Sequence, residues 1–136
     1  MIQVIAGKKG SGKTKRLIDL TNSTAREAVH DVIFLDDDNR YMFDVDHKVR
    51  FINAEDYHIH TPDMFVGFVC GILSSNFDVG KVFVDAFLKL SHTELSACEP
   101  IVNVLKELSA KHQVDFVLSV SADKEELPEF LKESVI

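Results

Sequence analysis

The sequence predicts an α/β protein, a three-layer sandwich around a mainly parallel sheet of about five strands. Three observations carry this expectation. Apolar runs of strand length alternate with helix-length segments along the whole chain. The first run, Ile2–Ala6, ends in a glycine-rich loop that leads directly into a helix-forming segment. The length of 136 residues, 46% of them apolar and ten of them Phe, suits a single domain over residues 1–136 with its own core.

The elements follow in order. IQVIA, Ile2–Ala6, is a buried-strand run, and a helix begins at Lys13 with Leu17, Ile18 and Leu20 on one side. DVIFL, Asp31–Leu35, is a second strand, stopped by the acidic run Asp36-Asp37-Asp38. VRFI, Val49–Ile52, is a short third strand. Thr61-Pro62-Asp63 opens a helix: Thr caps it, Pro fits the first helical position, and Asp suits the positive end of the dipole. The helix that follows, from Met64 to Leu73, is apolar all round and is expected to be central, with Gly67 and Gly71 allowing close packing. KVFVD, Lys81–Asp85, is the next strand. A helical region from about Thr93 to His112 is expected to be split by Pro100. VDFVLSV, Val114–Val120, is the last strand. Asp123 and Glu126 are spaced as a capping box for a terminal helix whose start Pro128 delays.

The loop GKKGSGKT, Gly7 to Thr14, fits the spacing G-x-x-x-x-G-K-[ST] and stands after a strand and before a helix. Glycines at 7, 10 and 12 let the backbone aim several N–H groups inward, and the helix N-terminus adds its dipole. The nucleotide-binding candidates are therefore Gly7, Lys8, Lys9, Gly10, Ser11, Gly12, Lys13, Thr14 and Lys15. Lys13 is expected to reach the outer phosphates as a point charge, and the Thr14 hydroxyl to ligate Mg²⁺. ATP or ADP is the expected ligand.

An apolar strand that ends in Asp85 supplies the usual second carboxylate, which holds Mg²⁺ through water. Lys13 and Asp85 are thus the leading catalytic candidates. The next position is Ala86, where a hydrolase commonly carries a Glu to polarise the attacking water. Glu94, Glu99 or one of Asp36–Asp38 could replace that Glu if the fold brings it near, although a solvated acid is the plainer expectation for each. Arg40 is a further candidate, facing a phosphate or the transition state. Ser119 and Ser121, at the end of the last strand, are candidate sensors of the outer phosphate or plain strand-end residues. Asp36–Asp38 follow the carboxyl end of a strand, where ligands of open α/β sheets gather.

Charge and composition narrow the partners. Residues 1–30 carry six Lys or Arg against Asp19 and Glu27, within a chain of net charge −7. A small basic island on an acidic body suits a compact polyanion and lacks the wide basic face of an extended nucleic-acid surface. The longest apolar run is about half of a membrane span. Cys70 and Cys98 stand apart, without a C-x-x-C pair, and are expected to be reduced and buried. The chain opens directly on a strand, so a cytoplasmic location is expected. His58 and His60 lie among acids but at i, i+2 with no distal ligands, and are expected to be surface loop.

On these motifs the chain resembles the P-loop NTPase superfamily, firmly over residues 2–20 and fairly at 81–85. With two strands and a helix between the loop and Asp85, it is similar to the recombinase-like and motor branch, which places another strand between the loop strand and the Asp strand. It also resembles short bacterial ATP-binding proteins that carry a twitching motility ATPase label. More distantly it is similar to type II thymidine kinases, through GKKGSGKT, Asp38-Asn39-Arg40-Tyr41 and VFVDAF. It departs from those kinases at Ala86 and in having two Cys, too few for their zinc site. No N-K-x-D or D-x-x-G motif supports a GTPase. The resemblance implies Mg²⁺-dependent nucleotide binding with slow hydrolysis, helped by a protein partner or a second copy. The alternatives are a sensing module without turnover and, third, a small-molecule phosphotransferase.

Overall fold

The computed structural model describes residues Met1–Ile136. Five strands, β1 (Ile2–Ala6), β2 (Asp31–Asp36), β3 (Val49–Asn53), β4 (Val79–Val84) and β5 (Asp115–Val120), form one sheet. Their order is β1-β5-β4-β2-β3, and every pairing is parallel. Five α-helices accompany them: α1 (Lys13–Glu27), α2 (Pro62–Ser75), α3 (Phe87–Leu90), α4 (Glu99–His112) and α5 (Glu129–Lys132). The sandwich with its parallel five-stranded sheet is therefore as expected.

A parallel sheet must be covered on both faces, so its strands are apolar in both directions. Along β2, Val32 and Phe34 point to one core while Ile33 and Leu35 point to the other. The first core packs against α1 through Leu17, Ile18 and Ala25. The second packs against α2 and α4 through Phe65, Val69, Ile101, Val102 and Leu105. The two are unequal: 25 buried residues on the α2/α4 side and ten on the α1 side. Most of the fold's burial energy therefore lies away from α1. Truncating a fully buried ring such as Phe65 to Ala costs about 3–5 kcal/mol.

Helix α2 is not central. It buries only Phe65, Val69 and Leu73, spaced four apart along one stripe, and leaves Met64 exposed. A Cβ placed on Gly67 or Gly71 would meet nothing within 4 Å, so these glycines face open space and make no close approach. Its start is as expected, with the Thr61 side chain accepting from Met64 N–H at 3.1 Å and Pro62 in the first turn. Pro100 opens α4 after a 3-10 turn over Leu95–Ala97, where its missing N–H costs nothing. The expected capping box at Asp123 does not form. Asp123 makes no side-chain cap there and instead pairs with Lys8 at 3.2 Å, and α5 starts after Pro128. Cys98 is buried and Cys70 half-buried, both as free thiols.

The C-terminal residues close one edge of the sheet. Val4 N–H donates to Ser134 C=O and Ile136 N–H donates to Val4 C=O, each at 2.9 Å, so Val135 bridges the outer side of β1. No helix is long and apolar enough to cross a membrane.

Candidate functional site

The strand order brings four carboxyl ends together. Ala6 is in register with Val120, Val84 with Leu118, and Leu35 with Val84. Gly7, Ser119, Asp85 and Asp36 therefore meet at one rim, where ligands bind in open α/β sheets. A cleft of about 1160 Å³ opens there, between the loop and α1 on one side and residues 36–44 on the other.

The loop has the backbone its glycines were expected to supply. Gly10 and Gly12 take φ of 85° and 87°, the left-handed region that Cβ-bearing residues rarely adopt. At Gly7 the limit is space, because a Cβ would sit 2.3 Å from the Ser11 hydroxyl. Gly12 caps α1 with no side-chain hydrogen bond, and no acid stands in the first turn. The N–H groups of that turn are therefore open to an anion and reinforced by the helix dipole. Lys13 Nζ lies 3.4 Å from Lys8 C=O, folded over the loop.

The loop residues do not all face the cleft. Lys9, Gly10, Gly12, Lys13, Thr14 and Lys15 line it. Gly7, Lys8 and Ser11 do not. Lys8 turns outward to Asp123, which raises its pKa through the hydrogen bond and the charge of that carboxylate. Lys15 pairs with Asp19 one turn along α1, at 2.9 Å.

Thr14 and Asp85 meet across the rim. The Thr14 hydroxyl lies 3.3 and 3.2 Å from the two Asp85 carboxylate oxygens. Asp85 is buried and held on two sides. Its N–H donates to Leu35 C=O at 2.9 Å, and its Oδ1 accepts from the Ser119 hydroxyl at 2.6 Å. That hydroxyl in turn accepts from Ala86 N–H at 2.8 Å. Ala86 sits at φ 52°, a left-handed turn that carries the chain from β4 into α3. Ser119 is thus wholly buried and committed to Asp85. Ser121 is exposed and lines the cleft. The oxygen set of Thr14 and Asp85 is hard and sparse, the kind that suits a Mg²⁺ ion sharing its remaining positions with water and phosphate.

The opposite wall is acidic. Asp36 ends β2, is 2% exposed and lines the cleft. Its Oδ1 accepts from Asp37 N–H at 2.7 Å, while its Oδ2 is buried without a partner. Burial pushes its carboxyl up to about 8, and a hydrogen bond with Asp37 and the nearby charges of Asp85 and Asp37 add to the rise. Burial also works against the charge on Asp37, yet the ion pair with Lys89 and the bond with Asp36 win and lower its pKa. Asp38 accepts from Arg40 N–H at 2.8 Å and pairs with its guanidinium at 3.3 Å. Lys89 and Arg40 both line the cleft.

The remaining candidates lie elsewhere. Glu94 and Glu99 are exposed on the turn before α4 and at its start, and neither lines the cleft. His58 and His60 are exposed around the buried Ile59, outside the acidic group, as a surface loop would be. Sequence reasoning missed Lys89, which reaches the rim on α3, a four-residue helix too short for a periodic signal. It also missed the Asn22 carboxamide, which accepts from Asp46 N–H and donates to Asp44 C=O, tying α1 to the segment beyond the acidic wall.

This arrangement belongs to a known class of fold. A KaiC-like protein from the hyperthermophilic archaeon Pyrococcus horikoshii OT3 superposes with a TM-score of 0.57 at 14% identity. The match covers 97% of this chain and 66% of that chain, so this chain spans a little under two thirds of the solved relative. The fold is a KaiC-like, RecA-like P-loop fold with an all-parallel five-stranded sheet. No family model and no curated protein matches the sequence.

Proposed function

We propose that the chain binds a nucleotide, ATP or ADP, together with Mg²⁺, and hydrolyses it slowly or only with a partner. The observation that carries this reading is the meeting of three parts at one rim: the uncapped N-terminus of α1, Lys13 beside it, and Thr14 against Asp85. The N–H groups and Lys13 suit the phosphates. Thr14 and Asp85 would hold Mg²⁺, which supplies charge neutralisation at the outer phosphates when bound. Asp85 is fixed by Ser119, so the metal-facing carboxylate is positioned before any ligand arrives.

Slow turnover follows from the carboxylates. No acid follows Asp85, and Glu94 and Glu99 stand outside the cleft. Asp37 and Asp38 are paired with Lys89 and Arg40. Asp36 is largely protonated at neutral pH because burial raises it to about 8. Asp36, mostly neutral and with no cation paired to it, is the one cleft-lining acid of this wall left to take a proton, and only a small fraction of it is ionised at pH 7; a regulatory role with no significant turnover rests on the same observation. Phosphoryl transfer to a small molecule ranks third. A partner subunit or second copy supplying an Arg belongs to the first reading.

Calorimetry with Mg-ATP tests the binding. Lys13→Ala is expected to abolish measurable affinity, and unchanged affinity would remove the central claim. Phosphate release over hours separates enzyme from sensor. Ala86→Glu, which places a carboxylate where the rim lacks one, is expected to raise the rate if water activation is the limiting step.

A further inference from the structure

We propose that β3 is an interface: two copies of the chain join along it, antiparallel, about a twofold axis near the middle of the strand. Strand β3 ends the order β1-β5-β4-β2-β3, and only β2 pairs with it. It runs over Val49–Asn53 in unbroken register with β2 and contains no proline. Its outward N–H and C=O groups therefore form a regular row that another strand can pair with.

The charges along this edge say what covers it. Its amino end carries Lys48 and Arg50, and its carboxyl end runs into Glu55 and Asp56. All four are exposed, and none has an ion-pair partner in the chain. The acids near the amino end are already engaged. Asp46 accepts from Lys48 N–H at 2.9 Å, and Asp31 accepts from the Asn76 amide at 2.8 Å. A twofold, antiparallel copy sets the Lys48 end of each edge against Glu55 and Asp56 of the other, twice per pair. An in-register parallel copy would instead oppose like charges.

Shape points the same way. A concavity of about 420 Å³ lies at the amino end of the edge, with Lys48, Val49, Arg50 and Phe51 among its walls. At the carboxyl end, the 3-10 turn Ala54–Tyr57 exposes Glu55, Asp56 and Tyr57. The antiparallel arrangement brings the turn of each copy to the concavity of the other. Apolar area continues beside the turn. Tyr57 is 52% exposed and rests on Phe68 of α2 with ring centroids 5.5 Å apart, and Met64, one turn before Phe68, is 48% exposed. Helix α2 carries no charged side chain after Asp63. Exposed Tyr and Met beside opposite charges are the side chains that interfaces favour.

The test is sedimentation equilibrium of the full chain without nucleotide, over rising concentration and at low and high salt. The expected result is a monomer–dimer equilibrium that salt weakens. Lys48→Glu and Asp56→Lys each put like charges at both ends of the interface and should weaken the dimer about tenfold or more. Mixed in equal amounts, the two variants should pair with each other about as tightly as the wild type, because each end then joins opposite charges. General damage to the fold cannot give that restoration, and circular dichroism melts identify folded variants. Lys111→Glu is a control on α4, which packs against β1 and β5, and should leave the dimer unchanged. Amide hydrogen exchange over Val49–Asn53 should slow as the dimer forms. Lys13→Ala should dimerise like the wild type, so loss of nucleotide binding and loss of this interface are separate results. A monomer at every concentration, a dimer whose β3 amides stay unprotected, or a mixture of the two variants no tighter than either alone would overturn the proposal.

Discussion

The two walls of the cleft are built on opposite plans. The loop, residues 7–14, is mostly exposed, and the part of it that lines the cleft has few partners within the protein: free N–H groups, an unpaired helix end, and Lys13 bonded only to a carbonyl. The acidic wall, residues 36–40, is more buried and largely satisfied from within by Lys89, Arg40 and its own backbone. The loop leaves its N–H groups to solvent or to a ligand. The wall makes most of its own partners, and a single oxygen of Asp36 is left over. An unsatisfied group on an open loop costs little because water serves it, while the same vacancy in a buried wall needs an explanation.

The contrast yields predictions of decreasing size. Asp85→Asn should have the largest effect after Lys13→Ala, because it weakens the carboxylate that faces both Thr14 and the expected metal. Mg²⁺-dependent nucleotide affinity should fall on the order of 100-fold, and affinity without Mg²⁺ should change little, both measurable by calorimetry. Ser119→Ala acts one step away. It leaves Ala86 N–H and one Asp85 oxygen without their partner, and the same Mg²⁺-dependent affinity should fall about tenfold. If the loss appeared equally without Mg²⁺, Ser119 would be acting on the nucleotide directly.

The third prediction concerns the wall and its pH dependence. The folded-state pKa of Asp36 lies well above its unfolded value, at about 8. Its contribution to stability is therefore fully present below about pH 4, and is lost as pH rises through the window from 4 to 8. Denaturant melts of the metal-free protein should show this decline, and Asp36→Asn should flatten it. A wild-type stability that rises across that window, after allowance for the other carboxylates, would remove Asp36 as its source. The smallest effect is expected at Lys15→Ala. Its ion pair with Asp19 is fully exposed, and the melting temperature should not move measurably.

Much of this was readable in the residues. The alternation of apolar runs and helical segments, with glycines at 7, 10 and 12, led to the parallel sandwich because each strand must be buried on both faces. The strand limits were right to within two residues; β4, for example, begins at Val79, before the expected Lys81, and ends at Val84 with Asp85 just beyond. The failures have physical causes. Helix α2 looked central because its exposed positions include Met64, Gly67 and Gly71 and its half-buried ones Phe68 and Cys70, which sequence hydrophobicity does not separate from core. Asp123 was expected to cap a helix, but Lys8 competed for its carboxylate. The contact of the Ser119 hydroxyl with Asp85 is set by the register of β4 and β5, which the sequence of neither strand encodes. The burial of Asp36 depends on β2 lying beside β4, a neighbour relation that no local pattern encodes.

The closure of β1 by Val135 has a bearing on self-assembly. Growth of a sheet through successive copies requires two open edges, one to offer and one to receive. Here the edge at β1 is covered at Val4 by the chain's own residues 134–136, while β3 has no strand on its outer side. Strand addition at β3 joins β3 to β3 about a twofold axis, whereas addition at β1 must first displace residues 134–136. The fold thereby favours a closed twofold dimer through its sheet over an open-ended fibre built the same way.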